Sequence, residues 1–133
     1  VIPAFTRQDA HLSKSKALPA AAGSVQTDAI KIGSVGEPLL TPLELRISAP
    51  GLSTAQLPNA NTAVYAILHG DTPDTLEWVA TIGVQTGAGG EGAPGAEYRY
   101  RPPHNLKPFV AAKCTTNAAA NASAAAMQLD VMF

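Results

Sequence analysis

"PLELRISAPG", residues 42 to 51, alternates with a period of two: Leu43, Leu45 and Ile47 fall on one side, Glu44, Arg46 and Ser48 on the other. A strand built this way buries one face and wets the other, as in an antiparallel sheet with one solvated side. Pro50 and Gly51 then close it, since proline cannot donate to a ladder and glycine turns easily.

The same reading extends in both directions. "DAIKIG" sets Ile30 and Ile32 against Lys31, and "TAVYAILHGD" (62 to 71) is apolar on both faces, which predicts a central strand. "LEWVATIGVQTG" (76 to 87) is a further strand in which Gly83 marks a bulge, and "HGDTPD" between the two is a hairpin connection dense in turn residues. In "EYRYRPP" (97 to 103) alternation packs Tyr98 and Tyr100 inward and turns Glu97, Arg99 and Arg101 outward, before two prolines end the strand. "KPFVAAKCTTN" (107 to 117) and the closing "AMQLDVMF" (126 to 133) complete the set, the last with Met127, Leu129, Val131 and Phe133 on one parity. A closing strand tied into a sheet makes tagging or extension at that end harmful. "NAAANASAAA" (117 to 126) is rich in alanine but lacks an apolar stripe, so a loop is expected there. Seven to eight short strands with turn signals between them predict an all-β protein, a sandwich or barrel, and we expect an antiparallel β-sandwich over residues 24 to 133.

Residues 1 to 23 differ. Scattered apolar residues, three cations (Arg7, Lys14, Lys16) and one anion (Asp9) follow no period, which predicts an irregular N-terminal arm.

Composition limits the function. Charged residues make up 14% of the 133, against about 25% in an average soluble domain. A chain so short of charge is expected to cover part of its surface in an assembly. The net charge of −1 supplies no general attraction to polyphosphate, and base stacking needs tyrosines and arginines on one face, so no nucleic-acid partner is expected. No apolar run reaches the 18 residues of a membrane span, and "ALPAAAG" (17 to 23) has no hydrophobic region before it. The expectation is therefore synthesis in the cytoplasm and no membrane partner.

Candidate chemistry is thin. Cys114 shares the parity of Ala112 and Val110, so a buried, inert thiol is expected. His11, His69 and His104 show no metal-ligand spacing, and no Gly-x-Ser-x-Gly elbow is present. "GAGGEGAPG" (87 to 95) leads into a strand rather than a helix N-terminus, so it reads as a flexible loop and not a phosphate cradle. No enzyme activity, cofactor or metal is expected. Trp78 with two inward tyrosines makes a thin sugar platform. An exposed Trp78 beside polar groups in a groove would favour a receptor- or carbohydrate-binding module of a tail fibre or adhesin, and a buried one a structural role.

An irregular segment before "TDAIKIG", then "PLELRISAPG", the "AVYAILHGDTPDTLEWVA" hairpin, "EYRYRPP" turning through "HNLKPF" into "FVAAKC", and "AMQLDVMF" together resemble the jelly-roll capsid cement (decoration) proteins of tailed bacteriophages. The resemblance covers residues 24 to 133 and rests on strand order. It implies a virion protein on the outer capsid surface that binds the major capsid protein, stabilises contacts between its subunits and associates with itself as a homodimer or homotrimer. Many small interfaces repeated by symmetry would then resist internal pressure through avidity. On that reading Phe5 and Leu12 anchor the arm, Arg7, Lys14 and Lys16 supply rim charges, and Arg99 and Arg101 join the capsid-binding set. Deleting residues 1 to 20 would leave a folded oligomer that no longer decorates shells.

Overall fold

The structure, a computed structural model, describes residues 12–33, 43–102, 106–118 and 120–132. Phe5, Arg7, His11, His104 and Phe133 lie outside them. Among the described residues are nine strands: β1 (Ser13–Ala17), β2 (Gly23–Gln26), β3 (Ile30–Lys31), β4 (Glu44–Ala49), β5 (Thr62–Gly70), β6 (Glu77–Thr86), β7 (Ala96–Tyr100), β8 (Phe109–Thr116) and β9 (Ala126–Met132). No α-helix occurs among the described residues, and within "NAAANASAAA" bends and turns fall between Ala120 and Ala125.

Pairing is antiparallel throughout and nested. The first strand pairs with the last (β1 with β9), β2 and β3 pair with β8, β4 pairs with β7, and β5 with β6. Two further pairings, β4 with β9 and β5 with β8, join these ribbons into sheets ordered β1-β9-β4-β7 and β2-β8-β5-β6. β2 and β3 act as one strand broken at Thr27, whose N–H and hydroxyl oxygen bond the carbonyl and N–H of Ala112. Counted so, eight strands in two four-stranded sheets form a jelly-roll β-sandwich.

Between the sheets lies one core. Leu45, Ile47, Met127 and Leu129 enter it from one side, and Tyr65, Ile67, Val110 and Cys114 from the other, all fully buried. Each such aliphatic side chain stabilises the fold by roughly 1.5–3 kcal/mol. The alternation expected in 42 to 51 holds: Leu45 and Ile47 are buried while Glu44, Arg46 and Ser48 are half-buried on the outer side. β5 is central and buried at five of its nine positions besides Gly70, and Tyr98 and Tyr100 pack on the core with Glu97 and Arg99 exposed.

Of the expected arm, residues 1–11 lie outside the described residues; its described part needs correction, because Ser13–Ala17 is a strand and Gly23 already begins the next. β1 binds β9 by its backbone and buries little side chain, so "SKSKA" carries no apolar period to announce it. Backbone pairing, invisible in residue type, recruits this stretch into the sheet.

Loops gather at two ends. At one, Leu52 and Ala93 exchange backbone hydrogen bonds of 2.8 Å each, Gly87 bonds Ala60 and Asn61, Asn59 accepts from Gly89 N–H, and Ala122 N–H reaches Pro19. The glycine-rich 87 to 95 stretch therefore joins two strands, as expected, with its backbone held at several points. At the other end, Lys107 links the β7–β8 connection to the β5–β6 hairpin.

Candidate functional site: two unlike outer faces

The registers assign every strand residue to the core or to an outer face. On the β1-β9-β4-β7 sheet the outer face carries Ser13 and Ser15, Gln128 and Asp130, Glu44, Arg46 and Ser48, then Glu97 and Arg99. It is polar apart from the small Ala17 and Ala126 and from Met132, which stands opposite Glu44 and is exposed. Arg46 pairs with Glu97, while Arg99 lies 3.3 Å from Glu97 and 3.5 Å from Glu44. Ion pairs this exposed add about 0–1 kcal/mol of stability each, but they neutralise one another's charge. Nearer β1, Ser13 donates to Asp130 at 2.7 Å, and the Gln128 amide donates to both at 3.0 Å.

The β2-β8-β5-β6 sheet is the opposite. Its outer face carries Val64, Ala66 and Leu68 from β5, Ala111, Lys113 and Thr115 from β8, Ser24 and Gln26 from β2, and Trp78, Thr81 and Val84 from β6. Ala66, Leu68 and Ala111 are buried all the same, so its solvent-facing part is Trp78, Thr81 and Val84 with Thr115, Ser24 and Gln26. Lys31 and Lys113 are the charged side chains that the strand registers place there among the described residues. Trp78 is 65% exposed and Val84 49%. Trp78 stands opposite Leu68 and donates its indole N–H to Thr81 at 3.2 Å. It is exposed on a sheet face between apolar Leu68 and the Thr81 hydroxyl, which is neither the buried position nor the polar groove weighed from the sequence.

Two register shifts in the β5–β6 pair create this row. Ile82, beside Gly83, and Val79 are the residues skipped, so residues three apart, Trp78, Thr81 and Val84, share one face. The bulge expected at Gly83 is thus present, with a second one nearer the hairpin. Gly83 itself faces inward, where the Tyr98 ring occupies the space a Cβ would fill.

The residues proposed for partner contact are scattered. Lys14, half-buried, and Lys16, exposed, share the parity of Leu129 and Met127 on the edge strand β1. Leu12 packs against the core, Arg99 is held by two carboxylates, and Arg101 is exposed just beyond β7. Sequence reasoning missed the face around Trp78 because no single stretch carries it; three strands contribute.

Among the described residues, titratable groups show local perturbation without a cluster of three or more histidine, cysteine or carboxylate side chains. Burial pushes the Cys114 thiol up to about 11, so it stays protonated at neutral pH. Tyr65 is raised further, chiefly by burial, and donates its hydroxyl to Gln85 at 2.7 Å. His69, at the end of β5, is lowered by burial and then by Lys107, whose backbone N–H donates to Nδ1 at 3.1 Å. Lys107 Nζ also meets Glu77 at 3.0 Å, which lowers the carboxyl and raises the amine.

No family model matches the chain, and no curated protein matches it. Among solved structures it is similar to a chain of the cowpea mosaic virus empty virus-like particle, at 8% identity over 92% of this chain and 78% of that one, TM-score 0.47. It is also similar to the CBM22-1-GH10 modules of the Clostridium thermocellum endo-1,4-beta-D-xylanase 10B, at 9% identity over 93% of this chain and 26% of that one, TM-score 0.39. A third is the CBM32 of AlyQ, at 12% identity, 95% and 88% coverage, TM-score 0.33. The jelly-roll assignment itself rests on the nested pairing of this chain's own strands.

Proposed function

We propose that the chain is a non-enzymatic virion protein that lies on the outer surface of an icosahedral phage capsid and stabilises contacts between major capsid subunits. The observation that carries this reading is the inequality of its outer faces: one polar and laced with mutually neutralised ion pairs, the other nearly free of charge apart from Lys31 and Lys113. The exposed part of that face, with Trp78, Thr81, Val84 and Thr115, loses little hydration when it is covered, and the two cations of the same face favour an acidic partner surface. Arg99, already neutralised, contributes little under this arrangement; the β8 side of the charge-poor face does the binding.

The test is co-sedimentation with expanded shells that lack the protein, prepared from the phage encoding it. Wild type should pellet with the shells. Lys113→Glu combined with Thr115→Glu should weaken binding at least ~10-fold, while Ser15→Glu on the polar face should not. Absence of binding by wild type, or equal binding by all three, rejects the reading.

A second reading has one observation in its favour, the exposure of Trp78. In a receptor- or carbohydrate-binding module this indole would stack on a sugar ring. Trp78 is the single tryptophan of the chain, so its fluorescence reports such contact directly. Saturable quenching by neutral oligosaccharides would support this second reading over the first.

A further inference from the structure

Each sheet has two edges, and an unguarded edge strand invites pairing with another chain. β1 carries Lys14 and Lys16, β7 carries Glu97 and Arg99, and the β2/β3 edge is broken into four residues and two. β6 is different. It is the longest strand, ten residues, and after Glu77 no charged side chain occurs through Thr86. Its Trp78 and Val84 are two of the three large apolar side chains exposed among the described residues.

These two residues lie three positions on either side of Thr81, on one face. An antiparallel copy of the strand, turned about a two-fold axis through Thr81, therefore sets Trp78 of each copy against Val84 of the other. Like edges meeting this way form an isologous contact that closes at two copies; a three-fold ring requires two different surfaces. Lys31 and Lys113 lie on strands beyond β5, away from the seam, so closure buries no like charges.

We propose that the protein forms a two-fold homodimer through β6, with Trp78 and Val84 packed reciprocally across Thr81. The two bulges at Val79 and Ile82 interrupt the edge, so side chains rather than a continuous ladder hold the contact. An aromatic side chain offers about 150–250 Å², whereas a standard interface buries about 800 Å² per partner. The seam is small, and the dimer is accordingly weak and concentration-dependent. Dimerisation would place two charge-poor faces side by side as one floor. It stands without the capsid reading, and its test uses no shells.

Sedimentation equilibrium of the full chain should show a reversible shift from 13.6 kDa to twice that mass. Trp78→Ser and Val84→Lys should each raise the dissociation constant at least ~10-fold, with unchanged far-ultraviolet spectra, whereas Thr115→Lys should not. Thr81→Cys, on the axis, should form an interchain disulfide on mild oxidation, because Cys114 is buried. A monomer up to about 1 mM, a trimer, a dimer indifferent to both β6 variants, or failure of Thr81→Cys to cross-link would overturn the proposal.

Discussion

Gln85 is a buried polar side chain that joins three parts of the roll. It accepts the Tyr65 hydroxyl and donates from Nε2 to the carbonyls of Pro50 (2.8 Å) and Pro94 (3.0 Å), tying both loops of one end to β6. Gln85→Ala leaves those partners unsatisfied and should cost about 3 kcal/mol, read as a lower urea midpoint at unchanged m-value. His69 gives a pH dependence at the other end. Its folded pKa lies below the unfolded 6.5, so folding favours the neutral ring that accepts the Lys107 N–H. That contribution is complete above pH 6.5 and is lost as the pH falls through the lowered folded value. The lowered Glu77 carboxyl follows the same sign but in a window below 4.5. Thermal midpoints should therefore fall on acidification below 6.5 in wild type and change less over that range in His69→Gln.

At the scale of elements, β6 and β7 belong to different sheets and meet at Gly83. The Tyr98 ring fills the space beside that glycine and stands 5.7 Å, at 35°, from the Tyr65 ring. Gly83→Ala would push into the ring and should destabilise by about 1–3 kcal/mol. Tyr98→Leu in the same background should recover part of the loss, as coupled neighbours do. A neutral Gly83→Ala, measured by chemical unfolding, would mean the two strands are free to separate. The tyrosine parity expected for "EYRYR" is the reason this packing exists.

For the whole molecule, β1 closes the roll. Ser13 contacts Asp130, 117 residues away, and β9 sits between β1 and β4. Removing residues 1 to 20 therefore deletes a strand rather than an appendage, and it bares the edge of β9. The shortened chain should melt at a lower temperature and scatter light at concentrations where the full chain stays clear. Equal melting and equal clarity would show that β1 adds nothing to the sheet. Because the first and last strands must find each other, folding is dominated by long-range contacts and should fall in the slow range for small domains, about milliseconds to seconds.

What the sequence determined by itself was the set of half-buried strands. Residues such as Leu45 and Glu44 must face opposite ways once the backbone is extended, and a period of two admits no other solution. It determined the inward tyrosines, the buried thiol and the turn at 69 to 74 for the same local reason. It left β1 unseen, because "SKSKA" joins the sheet through peptide groups common to all residues. Only the tertiary structure decided which strands are neighbours, and with that the nested order of the roll. It also decided that the missing charge is missing from one face, since Trp78, Leu68 and Ala111 come from three strands whose adjacency no local pattern encodes, and two bulges must shift β6 before Thr81 joins them.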